Sequence, residues 1–116
     1  NMRDIYEKSE KAIYTPGAAF LNVMAPCPRG WRYPTEQIMD ICKLAVETCY
    51  WPLFEVIEGK WILSYSPKKK LPIEDFLRTQ GRFKHLFKPE NEHLLVQYQE
   101  EVDRRWEDLL FRCSKN

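Results

Sequence analysis

The sequence predicts an α+β protein, and three patterns along the chain predict it. From about Pro89 to Arg112, apolar residues repeat at three- and four-residue intervals among charged ones, which predicts a long C-terminal helix. The stretch "YWPLFEVIEGKWILSYS" has two aromatic and β-branched arms around Glu58-Gly59, which predicts an antiparallel hairpin. The run "GAAFLNVMA", residues 17–25, is apolar without clean alternation, which is typical of a strand buried on both faces. We therefore expect one buried strand, one hairpin and three to four helices.

The remaining elements follow from local signals. Residues 2–14, "MRDIYEKSEKAIY", carry apolar side chains among charged ones and predict a short amphipathic helix that ends before Pro16. Thr35 is the predicted N-cap of a second helix. Pro72 is predicted to open a short helix, "IEDFLRTQ", that stops at Gly81. The apolar face of the second helix consists of Ile38, Ile41, Cys42, Ala45, Val46 and Cys49.

Length and composition limit the classes of protein that remain. A chain of 116 residues amounts to one domain, and 44% hydrophobic with 30% charged residues excludes a disordered chain. The formal net charge of +1 gives no overall case for binding nucleic acid or a membrane surface. The apolar runs are too short to span a bilayer, and the charged beginning lacks the apolar core of a signal peptide. We expect a soluble, cytoplasmic protein.

The segment "APCPRGWR" places Cys27 between Pro26 and Pro28, directly after the predicted buried strand. The two proline rings restrict the backbone on both sides of the thiol. Proteins with α/β sheets place their chemistry just beyond the C-terminal ends of strands, and cysteine followed by proline recurs at iron–sulfur sites. The residues alone leave two interpretations open: Cys27 is a metal or cluster ligand, or it is a small side chain that fills a tight turn.

The other cysteines and the histidines have simpler interpretations. Cys42, Cys49 and Cys113 lie on apolar stripes and are expected to fill the core. His85 and His93 have no cysteine or acidic partner at ligand spacing, so we expect them at the surface or in ordinary hydrogen bonds. The chain contains no CxxC pair, no glycine-rich phosphate loop, no GxSxG and no HExxH. A self-contained metal or catalytic site is therefore not predicted.

Basic residues outnumber acidic ones between residues 60 and 88, and aromatic residues are interleaved with them. One interpretation is a site for an anionic partner, such as a nucleotide-bearing cofactor or RNA. The other is a solvated basic face that the acidic final helix balances. Binding that persists at high salt distinguishes the two, because surface charge alone is screened. The residues of the candidate anion site are Lys68, Lys69, Lys70, Arg82 and Lys84.

Three stretches together resemble one known family. They are "GAAFLNVMAPCPRGWRY", "LAVETCYWPLFEVIEGKW" and "QGRFKHLFKPENEHLLVQYQEEVDRRWEDLL". They are similar to the C-terminal part of the beta subunit of the pyruvate:ferredoxin oxidoreductase (pyruvate synthase) family of thiamine-pyrophosphate 2-oxoacid oxidoreductases. The resemblance runs through essentially the whole chain. It implies an enzyme of anaerobic metabolism that oxidatively decarboxylates pyruvate with coenzyme A to acetyl-CoA and CO2 and reduces ferredoxin through iron–sulfur clusters.

The resemblance also assigns a site and an organisation to the chain. It implies that Cys27 is the distant fourth ligand of a proximal 4Fe-4S cluster whose other three cysteines lie in the N-terminal region of the subunit. Arg29 departs from the family's usual "SPCPTGW", but not at the ligand position. Residues 1–33 are implied to be the last helix–strand unit of the α/β thiamine-pyrophosphate-binding domain. Residues 34–116 are implied to be a C-terminal extension that contacts alpha, gamma and delta type subunits or domains.

For the chain by itself, the resemblance predicts inactivity. The chain has neither the cysteine pair of the cluster nor a GDG…N element to hold magnesium and diphosphate, so we expect the chain alone to bind no cofactor. Apolar surface left by the missing sheet neighbours predicts self-association. The alternative is a stand-alone, non-catalytic interaction module that derives from this subunit and docks through its hairpin and last helix. A further hypothesis is that the basic loop 68–70 touches the phosphates of coenzyme A.

Overall fold

A computed structural model describes all 116 residues of the chain. The five α-helices are α1 (Met2–Tyr14), α2 (Pro28–Trp31), α3 (Ile38–Glu47), α4 (Ile73–Leu77) and α5 (Glu92–Ser114). The two strands are β1 (Phe54–Ile57) and β2 (Lys60–Leu63), and 3-10 helices cover Thr35–Gln37, Gly81–Phe87 and Pro89–Asn91. The predicted α+β class, with one hairpin and a long C-terminal helix, is confirmed. None of the helices combines the length and apolar character that crossing a membrane requires.

The hydrophobic core lies where α3, α4 and α5 meet. Phe76 of α4 is completely buried at its centre, and the ring of Tyr50 packs on it with the ring centroids 4.5 Å apart. Burial of a side chain of this size contributes about 1.5 to 3 kcal/mol relative to leaving it exposed. The other buried side chains contributed by these three helices are Ile41, Ala45, Ile73, Leu77, Val102 and Leu109.

The predicted apolar stripe of α5 is confirmed over most of the helix. Val102 and Leu109 are buried, and Leu94, Leu95, Tyr98 and Trp106 are half-buried against the core. Leu110, predicted to belong to the stripe, is exposed, because it lies about 100° around the helix from Leu109. The solvent face carries ion pairs at four-residue spacing, such as that between Arg105 and Glu101.

The predicted hairpin is confirmed, with shorter arms than the sequence pattern covers. β1 and β2 pair antiparallel, with Val56 opposite Trp61. Glu58 and Gly59 have positive φ angles of 50° and 78°, as a two-residue hairpin turn requires at both positions. The ring of Trp61 stacks on that of Phe54 at 5.4 Å. These contacts close the hairpin next to the C-terminal end of α5, where the Arg112 guanidinium lies over the Trp61 ring.

The predicted buried strand over residues 17–25 is wrong for this chain. The segment is irregular, and Phe20 and Val23 are 88% and 58% exposed. A strand that buries both faces needs hydrogen-bonded neighbours, and the only strands here are the two that pair with each other in the hairpin. Of the side chains in this segment, only Met24 packs against the core, and the others are exposed.

The boundaries of the second predicted helix also differ from expectation. Thr35 is not an N-cap but begins a 3-10 helix, and α3 starts three residues later without a side-chain cap. The helix ends at Glu47 rather than at Cys49. Cys49 adopts a left-handed φ of 60°, and the N–H of Trp51 donates to the carbonyl oxygen of Ala45 at 2.9 Å. The Cys49 side chain is nevertheless buried in the core, as expected.

Candidate metal-ligand site at the Cys27 turn

Cys27 is the N-cap residue of the one-turn helix α2. Its φ of −100° and ψ of 114° are extended, as the residue before a proline favours, and Pro28 occupies the first helical position. The N–H of Trp31 donates to the Cys27 carbonyl oxygen at 2.9 Å and closes the turn. The residue is exposed, and its thiol is free and makes no capping hydrogen bond. The sulfur is therefore open to a partner from outside the chain.

Tyr33 fixes the turn on its inner side. This residue is buried, and its hydroxyl donates to the carbonyl oxygen of Pro26 at 3.1 Å. Its backbone N–H donates to the carbonyl oxygen of Pro28 at 3.2 Å. Burial raises the pKa of the Tyr33 hydroxyl. Through its side chain and its backbone, Tyr33 thus holds the residues on both sides of Cys27.

The turn is also joined to the C-terminal part of the chain. Arg32 has a left-handed φ of 60°, and its carbonyl oxygen accepts a 2.8 Å hydrogen bond from the N–H of Gly81. The Trp31 ring meets the Phe76 ring edge-on, with the centroids 6.0 Å apart. The turn therefore rests on a fully buried residue of the core.

Arg82 adds a third connection between the turn and the core. Its guanidinium lies 4.0 Å from the centroid of the Trp31 ring and 4.5 Å from that of Phe83. Its Nε donates to Oε1 of the buried Gln80 at 2.7 Å. Its Nη2 is buried and has no hydrogen-bond partner. The sequence groups Arg82 with the lysines of the candidate anion site and does not predict its contact with Trp31.

The remaining candidate ligands do not gather around Cys27. Cys49 is buried in the core, which confirms its expected packing role, whereas Cys42 and Cys113 are half-buried and lie outside the core cluster. His85 and His93 are exposed. The chain contains no group of three or more His, Cys, Asp or Glu side chains arranged to hold a metal ion. An iron–sulfur cluster takes four cysteine thiolates, so Cys27 fits as one donor and the other three would have to come from outside this chain.

The candidate anion site is only partly available to a ligand. Lys70 is paired with Asp103 of α5, and Arg82 is enclosed by aromatic rings. Lys68, Lys69 and Lys84 are exposed. Two of the five predicted cations are therefore already engaged within the protein, which favours the solvated-face interpretation for the rest.

Comparison with known proteins identifies the relatives of the chain. No protein-family model matches it. It is 45% identical over 108 residues to pyruvate synthase subunit PorB of Thermotoga maritima, covering 92% of this chain and 33% of that subunit. It is 46% identical over 103 residues to ketoisovalerate oxidoreductase subunit VorB of Pyrococcus horikoshii, covering 87% and 33%. It is 40% identical over 83 residues to the PorB subunit of Methanocaldococcus jannaschii, covering 72% and 28%.

These relatives define the class as subunits of 2-oxoacid oxidoreductases. The resemblance seen in the sequence is confirmed: the chain belongs to the family of the PorB and VorB beta subunits. It spans about a third of the length of the curated relatives that it matches.

Proposed function

We propose that this chain is the C-terminal portion of the beta subunit of a pyruvate synthase, which oxidatively decarboxylates pyruvate with coenzyme A and reduces ferredoxin. The observation that carries the proposal is an exposed, free Cys27 thiol in a turn fixed by two prolines, within a chain 45% identical to a PorB subunit. The chain contributes one cluster ligand and contacts to the other subunits. Other parts of the enzyme contribute the rest of the catalytic site.

Cys27 is the only residue of the chain that we assign to a cofactor. Its thiolate would serve as one ligand of a 4Fe-4S cluster, which supplies one-electron transfer when bound. Pro26 and Pro28 hold the thiol on a restricted backbone, so little freedom is lost when it becomes a ligand. Thiamine pyrophosphate and its magnesium are assigned to regions outside this chain. Alone, with a single exposed thiol, the chain is proposed to be inactive.

The distribution of burial supports two regions with different roles. In residues 1–33, α1 has no buried residue, and the apolar segment 17–25 is exposed except for Met24, which packs against the core. We assign this region to the thiamine-pyrophosphate-binding domain, where neighbouring strands of the complete subunit would pair with the segment and cover it. Residues 34–116 hold nearly the whole core and are assigned to the C-terminal extension.

Partner subunits of the alpha, gamma and delta types are proposed to cover the exposed apolar side chains of this chain. Contiguous exposed apolar patches mark sites of contact with other proteins. The exposed large apolar side chains lie on α1, on the hairpin and near the end of α5. The residues are Ile13, Tyr14, Val56, Ile57, Ile62, Leu110 and Phe111.

The test is replacement of the thiol in the complete enzyme. Cys27→Ala, introduced into the full subunit and purified anaerobically with its partner subunits, should lose the iron and acid-labile sulfide of one 4Fe-4S cluster and its EPR signal. Cys113→Ala is the matched control, because that thiol is half-buried at the end of α5. Unchanged iron content and an unchanged EPR spectrum in Cys27→Ala contradict the assignment. A complete protein that holds no iron and turns over no 2-oxoacid supports the non-catalytic interaction module instead.

A ketoisovalerate oxidoreductase is the second candidate, because the identity to a VorB subunit is 46%. The two substrates differ in the size of their alkyl group, which a hydrophobic pocket discriminates by about 1 to 3 kcal/mol per methylene. Coenzyme A-dependent reduction of ferredoxin, measured as kcat/KM with each 2-oxoacid, separates the candidates. A higher value with pyruvate supports pyruvate synthase, and a higher value with ketoisovalerate supports the second candidate.

A further inference from the structure

We propose that Arg82 is the positioning residue for Cys27. Its guanidinium, stacked on Trp31, holds α2 against the core and thereby sets the orientation of the Cys27 thiol. This inference rests on the proposed function, because it matters for chemistry only if Cys27 is a cluster ligand. It assigns a role to a residue far along the chain from the site.

The turn that carries Cys27 cannot order itself. α2 has four residues, none of them buried, and a single helical turn is not stable alone. Its geometry must therefore come from contacts with the rest of the protein. Those contacts are the hydrogen bond from the Tyr33 hydroxyl to Pro26, the hydrogen bond from Gly81 to Arg32, and the packing of the Arg82 guanidinium on the Trp31 ring.

Arg82 links the centre of the core to this turn, in addition to the direct ring contact between Trp31 and Phe76. The side-chain amide of Gln80, which is 2% exposed, donates to the carbonyl oxygen of Phe76 at 2.9 Å. The same Gln80 side chain accepts from Arg82 Nε, and the Arg82 guanidinium lies over Trp31. A continuous set of contacts thus runs from Phe76 through Gln80 and Arg82 to the residue one turn beyond Cys27.

The guanidinium carries a cost at this position. The buried Nη2 of Arg82 has no partner, and an unsatisfied buried donor is costly. A neutral side chain of similar length would avoid that cost. What the guanidinium adds is a rigid plane with a donor at its edge, so it can stack on the Trp31 ring and be aligned by Gln80 at the same time.

The variants for the test are Arg82→Met and Arg82→Lys in the complete, anaerobically assembled enzyme. Methionine keeps an unbranched apolar stem and removes the charge and the planar group, whereas lysine keeps the charge. Arg78→Met is the matched control, because Arg78 also lies over a ring, that of Phe87 at 4.4 Å, and also has a side-chain partner, Glu74. The measurements are the EPR g-values and reduction potential of the cluster and the hydrogen–deuterium exchange of residues 29–33.

Arg82→Met should change the g-values and the potential of one cluster. It should also speed amide exchange in residues 29–33 by roughly 3- to 30-fold, the factor that loss of one desolvated cation–π contact implies. Arg82→Lys should show a smaller change of the same kind, and Arg78→Met should show neither. If the enzyme with Arg82→Met does not assemble, Trp31→Phe is the second variant. It replaces the indole ring under the guanidinium with a smaller ring and should give the same spectroscopic change.

Failure of this inference and failure of the proposed function give different results. If Cys27→Ala removes the cluster but Arg82→Met leaves the EPR spectrum, the potential and the exchange unchanged, Arg82 does not position Cys27 and the ligand assignment stands. If Cys27→Ala leaves the cluster intact, the ligand assignment and this inference both fall, whatever Arg82→Met does to amide exchange.

Discussion

The backbone N–H of Gly81 donates a 2.8 Å hydrogen bond to the carbonyl oxygen of Arg32, and this bond joins the Cys27 turn to the segment between α4 and α5. A Cβ atom at position 81 would lie 2.8 Å from the Cβ of Arg32 and 3.1 Å from its carbonyl oxygen. Any side chain larger than hydrogen would push the two backbones apart. The close approach therefore depends on glycine.

Gly81→Ala should release the turn from the core. The added methyl group would break the contact with Arg32, and we expect a loss of about 1 to 3 kcal/mol in the free energy of unfolding. Gly30→Ala is the control, because a Cβ there would meet only Cys27 atoms at 3.9 Å, an ordinary contact distance. Chemical denaturation of both variants measures the difference. Equal stability of the two would show that the approach of Gly81 to Arg32 is not restrictive.

Phe76→Ala should be strongly destabilising. Phe76 has no exposed surface, and rings of Trp31 and Tyr50 pack on it. Truncation of a fully buried phenylalanine costs about 3 to 5 kcal/mol. Phe111→Ala removes the same atoms from a side chain that is 57% exposed and should cost far less. Thermal unfolding of the two variants tests the prediction, which fails if both lower the midpoint by the same amount.

Tyr98 should make stability decline at high pH. Burial, with a further contribution from the nearby Tyr50 hydroxyl, raises the pKa of Tyr98 from 10.0 to about 12. Because the folded-state pKa lies above the unfolded value, the contribution is fully present below pH 10 and is lost as the pH rises towards 12. Unfolding free energies measured across that range should fall less steeply in Tyr98→Phe than in the unsubstituted protein. Tyr6→Phe, at an exposed position of α1, should leave the slope unchanged.

Asp103 should contribute to stability on the acid side. The hydrogen bond from Lys70 lowers the pKa of Asp103 below its usual 3.8, with a further bond from Gln99. A lowered folded-state pKa means that the contribution is present above pH 3.8 and is lost as the pH falls through the lower, folded-state value. The pair is partly exposed, so we expect less than about 1 kcal/mol. Asp103→Asn should flatten the acid limb of the unfolding curve, and Asp108→Asn on the same helix should not.

Glu58→Asn should stabilise the hairpin. Glu58 holds a positive φ of 50° at the first position of the turn, which asparagine adopts more readily than glutamate does. We expect a gain of less than about 1 kcal/mol, a part of the roughly 1 to 2 kcal/mol that left-handed backbone costs most residues. Glu58→Ala removes the same charge without relieving the backbone, so it should give no gain. Slower amide exchange in β1 and β2 of the asparagine variant alone would support the explanation, and equal exchange in both would argue against it.

The elements that the sequence predicted well are those set by neighbouring residues. The helix at residues 2–14, the Glu58-Gly59 turn and the stripe of α5 each follow from signals within a few positions of one another. The strand predicted at residues 17–25 failed because burial depends on distant chain segments. Periodicity reports which residues are suited to burial, and it does not report whether a neighbour is present to bury them.

The site was predictable in part for the same reason. Cys27 stands out because two adjacent prolines flank it. Gly81 and Arg82 do not stand out, because about 50 residues of chain separate them from their partners. No local pattern predicts that Gly81 contacts Arg32 or that Arg82 contacts Trp31. Arg82 was predicted to belong to the candidate anion site because of its charge alone. Composition carries no information about burial.

The contact between Gly81 and Arg32 also sets an order of events during translation. Cys27 and its turn leave the ribosome before Gly81, Arg82 and α5 exist, because these follow later in the chain. At about 5 to 20 residues per second, the nascent thiol spends roughly 3 to 10 s without its anchors. Cys27 is therefore an exposed thiol on an unformed turn at first, and it gains its final orientation only when the segment that holds Gly81 and Arg82 has been synthesised and has packed against the turn.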